Sequence, residues 1–278
     1  MKVFKARTKF LDYLNSSRGQ KTVGFIPTMG ALHSGHLKLI EVSKKECEIT
    51  ICSIFVNPTQ FNNNTDFEKY PNTLEDDLLK LQKLKCDIVY APAVNQVYTE
   101  EEKAKEFNFG TLASIMEGKF RPGHFNGMAT VVEKFFNLIE PTKAFFGQKD
   151  LQQLQIVKQL AKQINSPIEI KGIETVREKN GLAKSSRYSL LSSKGKKNAT
   201  LIYYCLNYCR NNKEKHISEL KEYVHNQFNQ QQDIELEYFE IVNLKTMLPI
   251  NEWQVKTKTA ICIAAYVEQV RLIDNIIL

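Results

Sequence analysis

The spacing of apolar residues changes along the chain, and those changes mark its elements. Phe4, Leu11 and Leu14 stand among charges, which predicts a short strand followed by a helix. Residues 21–26 (KTVGFI) tend to apolar and β-branched types, Pro27 predicts the end of that run, Gly30 permits a tight turn, and a helical pattern opens near His36. Residues 37–45 continue as an amphipathic helix, and 48–56 (EITICSIFV) read as a buried strand. Strand, helix and strand make a βαβ unit, whose ligand site belongs at the carboxyl ends of its strands. Thr73 and Asp76 have capping-box spacing at the start of a helix ending near Lys85, and 86–90 (CDIVY) is the next strand. A helix over 128–139 is broken by Pro141, a strand over 143–147 runs into Gln148, Lys149 and Asp150, and a further helix extends to Ile164. A strand over 168–176 closes the first half. Beyond it come helices over 200–210 and 217–228, an alternating strand over 234–242 and a partner strand over 259–270. The expected class is α/β, with a smaller α+β domain after about residue 176.

The chain has 278 residues, enough for one large domain or two smaller ones, and 42% hydrophobic against 25% charged residues is an ordinary globular balance. The first 14 residues hold no uninterrupted apolar run, and no later stretch is long and apolar enough to span a bilayer, so a cytoplasmic protein with no membrane partner is expected. Six cysteines without a CxxC pair suit buried thiols in a reducing compartment, and Cys205 and Cys209, one helical turn apart, suit a core stripe. The net charge of +7 suits an acidic ligand. No basic stripe with interleaved aromatics accompanies it, so no nucleic-acid partner is expected.

The candidate chemistry gathers at turns. His33 and His36 flank Ser34 and Gly35 where the first long strand meets its helix, and backbone N–H groups at a helix start favour an anion such as phosphate. Half of a metal site, without a third ligand nearby, and plain helix caps are the competing readings. The loop 57–73 follows the next strand, and Asn57 and Gln60 in it offer amides for hydroxyl and carboxylate groups, or for the loop itself. Arg121, in an Arg-Pro-Gly-His turn expected to fold its backbone onto a ligand, is a candidate carboxylate or phosphate contact. Gly147 precedes a second strand-to-helix turn with Lys149 at its start, and Gln152 or Gln153 on that helix is expected to face the pocket. Lys184, Ser185, Ser186 and Arg187 place two hydroxyls between two cations, apt for pyrophosphate and equally apt for a capped helix start. Asp76 and Asp77 favour a helix N-terminus, a Mg²⁺ role requiring them to turn toward phosphates.

Together PTMGALHSGH (27–36), FVNPTQF (55–61), RPGHF (121–125), FFGQKDLQQ (145–153) and GLAKSSR (181–187) resemble the pantothenate synthetase (pantoate-β-alanine ligase) family of the HxGH nucleotidylyltransferases. The resemblance implies a Rossmann-like parallel-sheet domain over 1–176 and a smaller α+β lid domain over 177–278 carrying the KSSR segment. It implies ATP-dependent condensation of (R)-pantoate with β-alanine through pantoyl adenylate, in a cytoplasmic homodimer, with Mg²⁺ accompanying ATP. By the same resemblance His33, His36 and Lys149 are catalytic, with His36 a candidate proton donor. Met29, Gly30, Ala31, Leu32, His33, Ser34, Gly35, His36, Gly147, Gln148, Lys149, Asp150, Val176, Lys184, Ser185, Ser186 and Arg187 line the ATP site. Gln60 and Gln153 bind pantoate, and Gln60 also lies near β-alanine. Gln148, Leu151, Lys184 and Lys80 depart from the family pattern, and Lys184 is expected to add a cation beside the pyrophosphate. A nucleotidylyltransferase that stops at the adenylyl product has no need of the Gln60 and Gln153 pair, and a tRNA-charging enzyme would carry an added anticodon-type domain.

Overall fold

In the computed structural model, which describes residues 1–61, 67, 70–99, 102–253 and 256–278, six strands build the larger sheet. They are β1 (Lys2–Phe4), β2 (Val23–Thr28), β3 (Ile49–Ile54), β4 (Ile88–Tyr90), β5 (Lys143–Gly147) and β6 (Glu169–Ile173). Their order is β1-β4-β3-β2-β5-β6 and every pairing is parallel. A parallel sheet is covered on both faces, so its strands are apolar on both sides. Val23, Phe25, Ile49, Ile51, Ile88, Tyr90, Ala144 and Phe146 pack into one cluster with the helix His124–Ile139. Their neighbours Ile26, Cys52, Val89 and Phe145 pack on the opposite face with Leu39 and Ile40 of the helix Ser34–Glu46.

Pro27 does not end β2. Thr28 turns its carbonyl toward β3, where the Phe55 N–H meets it at 3.0 Å, so Pro27 faces the other way. On that side the pairing with β5 has stopped at Phe25, and the missing proline N–H costs no ladder bond. The helix after β2 begins at Ser34, two residues before the apolar period shows it, because His33 caps it.

From β2 the connections run outward to β3 on one side, whereas β5 lies on the other. The carboxyl ends of β2 and β5 therefore flank a topological switch point, where α/β sheets bind ligands. The turns after these two strands are the ones that carry the histidines and Lys149.

The remaining strands, β7 (Ile234–Asn243), β8 (Thr259–Val267) and β9 (Val270–Ile277), form an antiparallel sheet in that order. Ile261 and Ile263 on one face pack with Cys205, Leu206, Cys209, Leu220 and Val224 of the helices Thr200–Asn211 and Ile217–Asn229. Ala260 and Cys262 on the other face join Val242 and Met247 in the apolar cluster of the larger sheet, so the two halves share a core. The single strand expected over 259–270 is a hairpin. Glu268 and Gln269 both have positive φ, 50° and 68°, a turn that normally signals itself with Asn or Gly.

Nor does a capping box form at Thr73. Its hydroxyl donates to Asp77 at 3.0 Å instead, because Asp77 is the acid that points inward from the helix Leu74–Lys83. The expected loop over 57–73 falls partly outside the described residues, at 62–66, 68 and 69.

Candidate active site

A cleft of about 220 Å³ opens at the carboxyl ends of β2, β3, β5 and β6. Its first wall follows from local chemistry. Gly30 (φ 84°) and Ala31 (φ 49°) turn the chain out of β2, and Leu32 donates its N–H to Asp77 at 2.8 Å while Lys80 Nζ donates to the Leu32 carbonyl at 2.8 Å. The fully buried Asp77 carboxylate thus holds the turn from behind.

His33 and His36 then cap the helix reciprocally. The Gly35 N–H donates to His33 Nδ1 at 3.1 Å, and the His33 N–H donates to His36 Nδ1 at 3.3 Å. A ring nitrogen that accepts carries no proton, so both neutral imidazoles hold theirs on Nε2. The rings lie 4.0 Å apart and both residues line the cleft. Glycine at 35 leaves room for this cap, since a Cβ there would stand 2.8 Å from the His33 ring and displace it.

Burial lowers the His33 pKa to about 3, helped by the nearby charges of His36, Lys149 and Lys184 and opposed by Asp150. Burial, then Lys149 and Lys80, lowers His36 to about 4. At neutral pH the ligand-free site therefore presents two uncharged N–H donors.

Across the cleft, Gly147, Lys149 and Asp150 line the wall, with Lys149 Nζ 3.6 Å from the Asp150 carboxylate. Gln153 reaches the cleft, whereas Gln152 is buried and braces the chain, accepting from the Glu117 N–H and donating to the carbonyls of Leu112 and Ile115. Gln60 is held at the cleft by Asn57 and by its own amide against the Met29 sulfur. Asn57 is saturated, since it also donates to the Gly127 carbonyl at 3.0 Å and accepts from Tyr98 at 2.8 Å.

The fourth edge is Val176, Lys184, Ser185, Ser186 and Arg187. The Arg187 N–H donates to Ser185 Oγ at 3.3 Å, so this serine caps its own turn. Lys184 lines the cleft and pairs with Glu178 at 2.5 Å.

Of the residues expected at the nucleotide, Gly30, Ala31, Leu32, Ser34 and Gln148 do not line the cleft. The first three shape the turn, Ser34 starts the helix, and Gln148 reaches away to the Gly172 carbonyl at 3.4 Å. The Arg-Pro-Gly-His segment is less a ligand loop than a helix start: Gly123 (φ 80°) precedes His124, and Arg121 lines the cleft 3.7 Å from Glu117. His124 is buried, bonded through Nδ1 to the Gln60 carbonyl at 2.9 Å, and lowered to about 4 by burial and then by Arg121.

Sequence reasoning missed the apolar floor, built by Phe55, Met128, Val131, Val132, Phe135 and Phe146. The apolar period did place Val131, Val132 and Phe135 on a helix, but a helix face looks the same whether it meets core or ligand.

Among the described residues no group of three His, Cys, Asp or Glu could hold a metal ion. No helix among them is long and apolar enough to cross a membrane.

The family model described as pantoate-beta-alanine ligase matches residues 2–277. Pantothenate synthetase of Cytophaga hutchinsonii is 45% identical over 271 residues, covering 96% of this chain and 95% of that protein. The Azobacteroides pseudotrichonymphae pantothenate synthetase is 46% identical, with 99% of each covered. Among solved structures, pantothenate synthetase from Thermus thermophilus superposes with a TM-score of 0.91 at 35% identity, covering 99% of both chains. Pantoate-beta-alanine ligase from Francisella tularensis, complexed with beta-gamma ATP and beta-alanine, gives 0.84 at 35% identity, covering 99% of this chain and 97% of that one.

Proposed function

The chain belongs to the pantoate-β-alanine ligase family and joins pantoate to β-alanine with ATP; on that premise we propose that the two strand-to-helix turns at the β2/β5 switch point carry the chemistry. The observation supporting this reading is the pair of imidazoles held with Nε2–H available in a cleft that Lys149 shares.

In the first step a pantoate carboxylate oxygen attacks the α-phosphorus of ATP, and the bond from that phosphorus to the α,β-bridging oxygen breaks to release pyrophosphate. Charge builds on the α-phosphoryl oxygens and on the departing group. His33 and His36 donate to the former, while Lys149, Ser185, Ser186 and Arg187 hold the latter. Gln60 and Gln153 orient pantoate, whose geminal methyls suit the floor of Met128, Val131 and Val132. The β-alanine amine then attacks the acyl carbon, losing a proton as AMP leaves, with Gln60 beside the incoming amine and Arg121, on the cleft wall beside Glu117, facing the β-alanine carboxylate. No protein nucleophile is required, so alignment and charge stabilisation carry the rate.

Mg²⁺ is assigned to the ATP phosphates rather than to a protein cage. Asp77 is committed to Leu32 and Thr73 away from the cleft, and the carboxylates that line the cleft are those of Asp150 and Glu174. The ion would offset phosphate charge in the bound nucleotide.

Residues 1–176 form the ATP and pantoate domain in this reading, and 177–278 the smaller unit that brings KSSR to the cleft. The core shared through Val242, Met247, Ala260 and Cys262 limits how far that unit can open. The six described cysteines are all free and buried, which supports a cytoplasmic location. A homodimer is the assembly proposed, and sedimentation equilibrium tests it.

Purified protein incubated with ATP, Mg²⁺ and pantoate, with and without β-alanine, tests the activity. Pantothenate and AMP accumulating only in the complete mixture supports the reading. Untouched ATP, or AMP transferred elsewhere, removes the assigned substrates.

A further inference from the structure

We propose that Asn275, on β9 in the C-terminal half, is a positioning residue for the Lys149 ammonium, acting through the backbone of the Gln148–Asp150 turn. The proposal rests on the reading of Lys149 as a phosphate-binding residue.

Asn275 is buried, and its side-chain amide donates twice, to the Gln148 carbonyl at 2.9 Å and to the Lys149 carbonyl at 2.7 Å. An asparagine amide has two N–H donors, and both are spent on this one turn. At its helix end, Asp150 caps the helix Leu151–Gln163 with no side-chain hydrogen bond.

The neighbouring residue extends the same device to the other phosphate-binding segment. Asp274 is buried and takes Arg177 in two bonds, at 2.6 and 3.1 Å. Arg177 also donates to the Asn275 carbonyl at 2.8 Å and to the Gly181 carbonyl at 2.9 Å. Gly181, at φ 87°, turns the chain into the segment that ends in Ser185, Ser186 and Arg187. Two consecutive residues of β9 thus tie Lys149 to the KSSR segment through main-chain carbonyls and one arginine.

The turn also has somewhere to go. A cavity of about 30 Å³ lies against it, lined by Lys149, Asp150, Gln153, Asp274 and Asn275. Without the amide, the turn can settle into that space and carry the ammonium away from the phosphates.

Asn275→Asp keeps the shape and sets a carboxylate oxygen against two carbonyls. The test separates the half-reactions. Pantoate-dependent exchange of labelled pyrophosphate into ATP reads adenylation, and β-alanine with supplied pantoyl adenylate reads amide formation, by which stage pyrophosphate has gone. Adenylation is expected to slow by up to about 100-fold, the effect of an ångström of misplacement, with amide formation unchanged. In a Lys149→Ala background Asn275→Asp should add nothing further to the loss. Should the aspartate variant not fold, Asn275→Ser, which keeps one shorter donor, gives the same comparison. Equal slowing of both half-reactions, or an undiminished effect in the Lys149→Ala background, overturns the proposal. Full exchange activity in Lys149→Ala alone instead overturns the reading of Lys149, whatever Asn275 does.

Discussion

The Asp77 carboxylate accepts the Leu32 backbone N–H at 2.8 Å from a side chain wholly removed from solvent. The histidine turn is therefore held from the helix Leu74–Lys83 as well as by its own glycine and reciprocal caps. Asp77→Ala leaves that N–H buried without a partner and should lose about 1–3 kcal/mol, read from the urea midpoint, with a raised KM for ATP. Asp77→Asn retains an oxygen for Leu32 and should be milder in both. Equal damage from the two would show that the negative charge matters more than the hydrogen bond.

Gly35→Ala should separate stability from activity. Alanine is favoured over glycine in helices by about 1 kcal/mol, yet its Cβ would lie 2.8 Å from the His33 ring. The ring must swing, which breaks the cap and misplaces its Nε2. Pyrophosphate exchange should fall by up to about 100-fold, while the melting temperature hardly moves. A fully active variant would remove His33 from the first step.

How much of this site could be read from the sequence depends on where each residue's partners lie. His33, Gly35 and His36 are local, so strand, turn and helix chemistry together located them. Asp77, Asn275 and Arg177 make their decisive bonds 45, 126 and 97 residues away, to Leu32, Lys149 and Asp274, and nothing local shows those partners. The parallel strands were legible because a sheet covered on both faces makes them short apolar runs. The β8–β9 hairpin was not, because Glu268 and Gln269 adopt a turn their residue types disfavour.

Gly127→Ala should act on pantoate. A Cβ at 127 would stand 2.0 Å from the Thr59 carbonyl oxygen and 2.8 Å from the Gln60 nitrogen, both backbone atoms. The helix His124–Ile139 and the turn Pro58–Gln60 must then part, and Gln60 leaves its place. KM for pantoate should rise about tenfold, the equivalent of roughly 1.4 kcal/mol, with KM for ATP little changed. An unaltered pantoate KM would take Gln60 out of substrate binding.

Folding stability should fall in mild acid. His33, His36 and His124 have folded pKa values of about 3, 4 and 4, below the ordinary 6.5. Between pH 6.5 and about 4 the unfolded chain binds protons at these positions and the folded chain does not, so stability declines as pH falls through that window. Asp274, whose pKa burial raises above 3.8, has the opposite sign, but one carboxyl opposes three imidazoles. Urea unfolding at pH 7.5 and pH 5.0 checks this, and a higher midpoint at pH 5.0 would refute the neutral assignment.

Nucleotide binding should reverse the same shifts at two of these rings. His33 and His36 are neutral in the free site because burial and the cations Lys149, Lys80 and Lys184 disfavour imidazolium. Polyphosphate brings several negative charges, and one unit charge 4 Å away contributes roughly 4 kcal/mol at an effective dielectric near 20. A pKa unit corresponds to about 1.4 kcal/mol, so the ligand can carry at least one ring back toward neutral pH. Calorimetric titration with a nonhydrolysable ATP analogue in two buffers of different ionisation enthalpy should therefore show proton uptake at pH 6.5 that disappears by pH 9. His36→Ala should reduce it. Uptake lost in that variant makes His36 the proton donor of the first step. No uptake at any pH would mean that both rings act as neutral N–H donors, and that Lys149 and Arg187 carry the positive charge of the site.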